Sequence, residues 1–232
     1  YLLDKSVTIL IPNHKYFFML VKTYASAVNG IDAQTITVEV NAGGTIPMGK
    51  IGYFLVGLPD NAVREGYQRI EAAVKNMNLK LPRVKIIINL APADLRKEGS
   101  SYDLPIAIGM LAATEQVNVD HLHEYIIMGE LSLDGSLRPI KGALPIAIQA
   151  RKEKYKGIIL PKQNAREAAI VNDLEVYGVE TLGEAIRFLN GELVIEPLIV
   201  NTREEFLDNL GYFSVDFSDV KGQENVKRAL EI

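Results

Sequence analysis

Ser100 and Ser101 follow Gly99 in "RKEGSSYDLPIAIGMLAA", residues 96–113, directly ahead of an apolar run of helical character. Serines at such a position lie near the free backbone N–H groups of a helix N-terminus, which can hold an oxyanion. With a base in reach, either hydroxyl could be a nucleophile; without one, capping or anion binding is the alternative work. Asp103 is a further candidate N-cap, and Pro105 suits the first turn. The histidines are His14, His121 and His123. The "HLH" pair could aim two imidazoles to one side of a strand, but no further ligand-type cluster accompanies it. It reads as a surface turn, and no metal site is assigned. The absence of cysteine excludes thiol catalysis, disulfides and Cys–zinc sites, and fits a reducing cytoplasm.

Charge is the second chemical signal. The formal net charge of -4 over 232 residues hides an asymmetry. Arg138, Lys141, Arg151, Lys152, Lys154, Lys156, Lys162 and Arg166 face only Glu153 within their stretch, whereas Glu204, Glu205, Asp208, Asp216 and Asp219 make a later segment acidic. Such a split marks either a basic binding face or solvated helix faces. Arg151, Lys152, Lys154 and Lys156 crowd the end of an expected helix, where positive charge also suits the helix dipole. "GTIPMGKI", residues 44–51, nearly spells a phosphate-binding loop, but Ile51 replaces the Mg²⁺-ligating Ser or Thr and a strand follows instead of a helix. A glycine-rich hairpin connection is the better reading, so no ATP site is expected here.

These residues need elements to hold them. Residues 21–28 and 35–41 read as strands joined by an Asn29–Gly30 turn, and "KIGYFLVGL" as a third. Ala62, Val63, Tyr67, Ile70, Ala73, Val74 and Met77 follow at helical spacing. "RVKIIINL" reads as a buried strand, the serine loop leads into a second helix, and strands around an Asp134–Gly135 turn come next. A helix near 143–155, strand "GIILP", a short helix near 164–171, strand "LEVYGV" and helix "LGEAIRFLN" complete the core. Strands in a meander that then alternate with helices predict an α/β or α+β fold with a mixed sheet and flanking helices. Residues 1–18 are too interrupted by charge and proline to span a bilayer, so no membrane is implied; they read as an extension ahead of a natural start at Met19. The core domain is set at 19–197, and 198–232 reads as a linker and the start of another module.

Four stretches, "KTYASAVNGIDA", "VGLPDNAVREGYQRIEAAVKN", "INLAPADLRKEGSSYDLPIAIG" and "GELSLDGSLRPIKGALPIA", closely resemble the N-terminal domain of the magnesium-chelatase-like AAA+ ATPases of the ComM/YifB type. "FSDVKGQENVKRALEI" resembles the approach to their AAA+ module, whose ATPase core this chain lacks. The resemblance implies a cytoplasmic motor, hexameric and using ATP and Mg in its full-length form, with no cofactor in this part. It implies a DNA helicase that promotes branch migration when transforming DNA is integrated. It also implies a Lon-protease-like fold, shared with domain 2 of a small-subunit ribosomal protein and with the recombination protein RadA.

Lon-type proteases use a Ser–Lys dyad. Laid on their pattern, "KEGSS" puts Ser101 at the nucleophile position, while the Lys position falls on Leu144, which cannot accept a proton. Lys141 lies three residues earlier, about 4–5 Å away along a helix and outside hydrogen-bond reach. Loss of the base costs orders of magnitude in rate, so Ser101 and Leu144 are read as a vestigial dyad and proteolysis as a remote alternative. DNA contact is the functional expectation, through Arg151, Lys152, Lys154 and Lys156, with Arg96, Lys97, Arg138 and Lys141 adding to one patch where the two loops meet. A ring-assembly collar without DNA contact is the alternative.

Overall fold

The computed structural model describes residues 19–44, 52–81, 84–200 and 219–230. The extension expected at 1–18, residues 45–51 of the expected glycine-rich connection and most of the expected linker lie outside the described residues. The chain falls into two compact units, 1–199 and 200–232.

The first unit opens on a long hairpin, β1 (Met19–Asn29) and β2 (Asp32–Ala42), paired antiparallel over their whole length. Gly30 turns the corner with φ at +64°, a conformation that costs a residue without Cβ nothing. Next come β3 (Tyr53–Val56), α1 (Asn61–Asn76) and β4 (Ile86–Ala91). The Asp60 side chain caps α1 by accepting from Val63 N–H at 2.8 Å. A sixteen-residue helix between two strands makes a crossover, so β3 and β4 are parallel and β4 lies between β2 and β3. The meander expected for the first strands is therefore broken at β3.

Helix α2 (Asp103–Ala112) follows the serine loop and is buried at every position, wedged between the hairpin and α1. Then come β5 (Tyr125–Ile127), the two-residue strands β6 (Glu130–Leu131) and β7 (Leu137–Arg138), and α3 (Ala143–Lys152). β8 (Gly157–Pro161), α4 (Lys162–Ala168), β9 (Glu175–Val179) and α5 (Leu182–Leu189) complete the unit. The main sheet has seven strands in the order β3-β4-β2-β1-β5-β8-β9, with β1, β5, β8 and β9 parallel. The expected mixed sheet with flanking helices is what the chain forms. The described part of the second unit carries one helix, α6 (Glu224–Leu230), with no buried residue. Among the described residues no helix is long and apolar enough to cross a membrane.

Candidate nucleic-acid interface and the serine loop

The serine loop is pinned from three sides. Lys97 pairs its backbone with the β3–α1 corner: its N–H donates to Leu58 O at 3.2 Å, and its carbonyl accepts from Asp60 N–H at 2.9 Å. The second carboxylate oxygen of Asp60 accepts from Gly99 N–H at 3.0 Å, so one side chain holds both the α1 cap and the loop. Gly99 takes φ +83°, and Ser100–Tyr102 form one 3₁₀ turn that runs into α2. Ser100 donates its hydroxyl to the Glu130 carboxylate. The Ser101 carbonyl accepts from Gly129 N–H at 2.8 Å, and its hydroxyl meets no hydrogen-bonding partner among the described residues.

Neither serine caps α2, and Asp103 does not either; Tyr102 stands at the N-cap position without a side-chain cap bond. Asp103 is 1% exposed and serves a different purpose. Arg69 of α1 donates to both its oxygens, at 2.6 and 3.0 Å, and Leu131 N–H adds a contact at 3.2 Å. Burial raises the Asp103 pKa above the usual carboxylate value, against the opposing pull of Arg69. Gly66 leaves the room this needs: a Cβ there would stand 2.4 Å from Asp103 Oδ1. The pair ties α1, α2 and β6 together.

Leu144 occupies the second position of α3, half-buried, with its N–H donating to Glu167 at 3.0 Å. A leucine there supplies no proton acceptor, so the arrangement contains no Ser101–Lys dyad at that position. Lys141 is exposed, ahead of Gly142, whose φ of +77° opens the helix.

The structure corrects the single basic patch in two ways. Lys97 is 0% exposed, and its ammonium donates to the Pro92 carbonyl inside the loop, so it presents no charge to a phosphate. Desolvation lowers its pKa, with Asp94 opposing. The remaining residues also divide between two ends of α3. Arg96 borders a cleft of roughly 420 Å³ shared by Ala27, Val28, Gln34, Glu98 and Tyr102, and it pairs with Glu98 at 3.1 Å. Gly142, next to Lys141, faces the same Val28. Arg138 is exposed and donates to Ser132 Oγ at 2.8 Å. Arg151 and Lys152 close α3 at its other end, about 15 Å along the axis from Lys141 at 1.5 Å per residue.

That second end is the stronger candidate. Arg151, Lys152 and Lys154 are exposed and form no ion pair among the described residues. Lys154 takes φ +63° as the helix ends, turning the chain toward β8. Lys156 sits over the Tyr125 ring at 5.8 Å and pairs with Glu124 at 3.4 Å; these contacts, Tyr125 first, raise its pKa. Glu153, the one acid in the group, accepts from Thr35 of β2 at 2.6 Å, and Tyr155 packs on Tyr24 of β1 with ring centroids 5.6 Å apart. The basic helix end is thereby seated on the face of the hairpin opposite α2. Sequence reasoning could find the charges but not this seating.

Comparison with known proteins adds the lineage. The family model described as "Subunit ChlI of Mg-chelatase" matches residues 38–164. Competence protein ComM of Haemophilus influenzae is 40% identical over 209 residues, covering 90% of this chain and 40% of that protein. The uncharacterized protein YifB of Escherichia coli is 41% identical over 210 residues, covering 90% of this chain and 39% of its own. Lon protease 2 of Bacillus subtilis is 25% identical over 132 residues, 56% of this chain and 22% of the protease. The chain thus spans about 40% of the length of the ComM relative. A family match over more than half of the chain, joined to the ComM and YifB likeness along nearly all of it, places this chain in the magnesium-chelatase ChlI family, in its ComM/YifB-type branch.

Proposed function

We propose that this chain is the non-catalytic N-terminal part of a ComM/YifB-type AAA+ ATPase and that it gives that motor a contact to DNA. The observation that carries the reading is the exposed trio Arg151, Lys152 and Lys154, which no acid neutralises among the described residues. Cations held this way release counterions when they meet phosphates, which gives affinity without base specificity. The full-length protein is proposed as a cytoplasmic hexamer that binds ATP and Mg through a module beyond this chain. Its proposed work is helicase-driven branch migration in the recombination of transforming DNA, a reading supported by the likeness to a competence protein. Ser101 takes no catalytic part in this reading, because Leu144 offers it no base.

The test is fluorescence anisotropy of labelled single-stranded and branched DNA against the chain, at low and moderate salt. Wild-type binding that weakens with salt and is lost in Arg151→Glu/Lys152→Glu/Lys154→Glu is the expected result. No binding at low salt overturns DNA contact by this part and leaves the assembly collar, which a concentration-dependent mass would reveal.

A further inference from the structure

Among the described residues, α2 packs on one face of the β1–β2 hairpin, α3 meets its other face, and α4 packs with α3 against β8 and β9. The strand registers lay out what remains open. One row across four strands reads Phe54, Ile87, Asn41, Leu20; the next reads Val56, Asn89, Glu39, Lys22; a third contains Ala91, Thr37 and Tyr24. Alternate residues on these strands, Val21, Thr23, Val38, Val40, Ile86 and Ile88, are buried on the helix side. On the open side Phe54 is 48% exposed, Val56 48% and Leu20 57%. Four neighbouring strands with this much uncovered surface are a binding face rather than a scatter of exposed residues.

Its chemistry points to one class of occupant. Phe54 presents a ring at one corner, with the Lys85 ammonium 5.2 Å from its centroid. Tyr24, half-buried under the Tyr155 ring that packs on it, lies at the opposite corner, directly beside the basic end of α3. Between them stand the amides Asn41 and Asn89 and the ammonium of Lys22. The only acid in these rows, Glu39, is held by Lys22 at 3.9 Å and by the Asn89 amide at 2.9 Å. A single-stranded nucleic acid needs rings to stack on, amides for exposed base edges and cations for phosphates.

We infer that the open face of β3, β4, β2 and β1 is a platform for single-stranded DNA, with bases stacked on Phe54 and Tyr24 and the backbone entering over the end of α3. From Tyr24 to Phe54 the path crosses three strand spacings, about 14 Å, and four residues along the strands, about 13 Å, so its diagonal is about 20 Å. That length accommodates a few nucleotides, at the short end of the sites used by sheet-based single-strand binders. The inference rests on the DNA reading above and adds which strand form is bound and where it runs.

The experiment uses the whole 232-residue chain with fluorescein-labelled dT15 and with a duplex of the same length, read by anisotropy. Phe54→Ala should weaken dT15 binding about 5- to 100-fold, the effect of losing one stacked base, while Phe54→Trp keeps it. Lys22→Gln should weaken it less and flatten its salt dependence. Circular dichroism of each variant should match wild type, and 5-iodouracil placed in the strand should photo-crosslink to a peptide containing Phe54 or Tyr24. If dT15 binds and is lost on changing Arg151, Lys152 and Lys154, yet Phe54→Ala has no effect, the platform is overturned and the DNA reading stands. Equal affinity for duplex and dT15 overturns it in the same way. If no DNA binds at all, both fall. Self-association of wild type that Phe54→Ala abolishes would then assign the face to contact between copies.

Discussion

Replacing Arg69 with Met tests whether the Arg69–Asp103 pair is the tie that holds the serine loop to α1. The substitution keeps an unbranched stem and removes two bonds to a carboxylate that is 1% exposed. Leaving one member of a buried pair without its partner costs about 3–5 kcal/mol when both are fully enclosed. The Arg69 side chain is 21% exposed, so water reaches part of the vacated space, and a loss of about 2–4 kcal/mol is expected. For a unit of this size that lowers the melting temperature by about 4–16 °C. The pH dependence fixes the cause. The Asp103 pKa is already raised in the folded state, and removing Arg69 raises it further. A group whose folded pKa exceeds its unfolded value makes the folded state bind more protons, so stability falls as pH rises through that window. The penalty of Arg69→Met should therefore be full at about pH 7 and shrink toward about pH 4, as Asp103 becomes protonated in the folded state. Urea unfolding followed by circular dichroism at both pH values measures it, and adding Asp103→Asn should recover most of the loss. A penalty below about 1 kcal/mol at neutral pH, or one that does not change with pH, would refute the reasoning.

Three further outcomes follow from the same geometry. Gly66→Ala places a methyl 2.4 Å from Asp103 Oδ1 and should cost about 1–3 kcal/mol, seen as a lower urea midpoint with an unchanged slope. Lys97→Met exchanges a fully buried ammonium for an apolar group of similar volume and should be neutral or stabilising at neutral pH. Because burial lowers the Lys97 pKa, wild-type stability should rise as pH increases from the folded pKa toward the unfolded one, and the variant should lose that rise; a destabilised Lys97→Met would contradict the account. Ser101→Ala should leave the melting temperature within about 1 °C of wild type, because the hydroxyl bonds to nothing described. Wild type should likewise resist labelling of Ser101 by a fluorophosphonate, read by intact mass, and labelling there would restore the nucleophile.

The local elements were legible in the residues themselves. Alternation in "TITVEV", the Asn29–Gly30 turn, Asp60 ahead of an amphipathic run and "GIILP" between helices each determine a strand, a turn, a cap or a buried strand through backbone preference and period. That Leu144 carries no proton acceptor was equally legible, because it depends on what a side chain is and not on where it points. What lay beyond the sequence was every relation across distance. Asp103 sits where a cap belongs, but the free-energy gain of pairing with Arg69, 34 residues away, took its carboxylate inward. Lys97 reads as surface charge among Arg96 and Glu98, yet the bridge to the β3–α1 corner turned its side chain into the loop. The basic residues from 138 to 156 form one run in sequence, and the length of α3 set them at two ends. Phe54, Lys22 and Tyr24 share a face only because β4 entered between β2 and β3. A chain's own periodicity determines which side of an element is apolar; which other element covers that side, or leaves it open, is decided by packing alone.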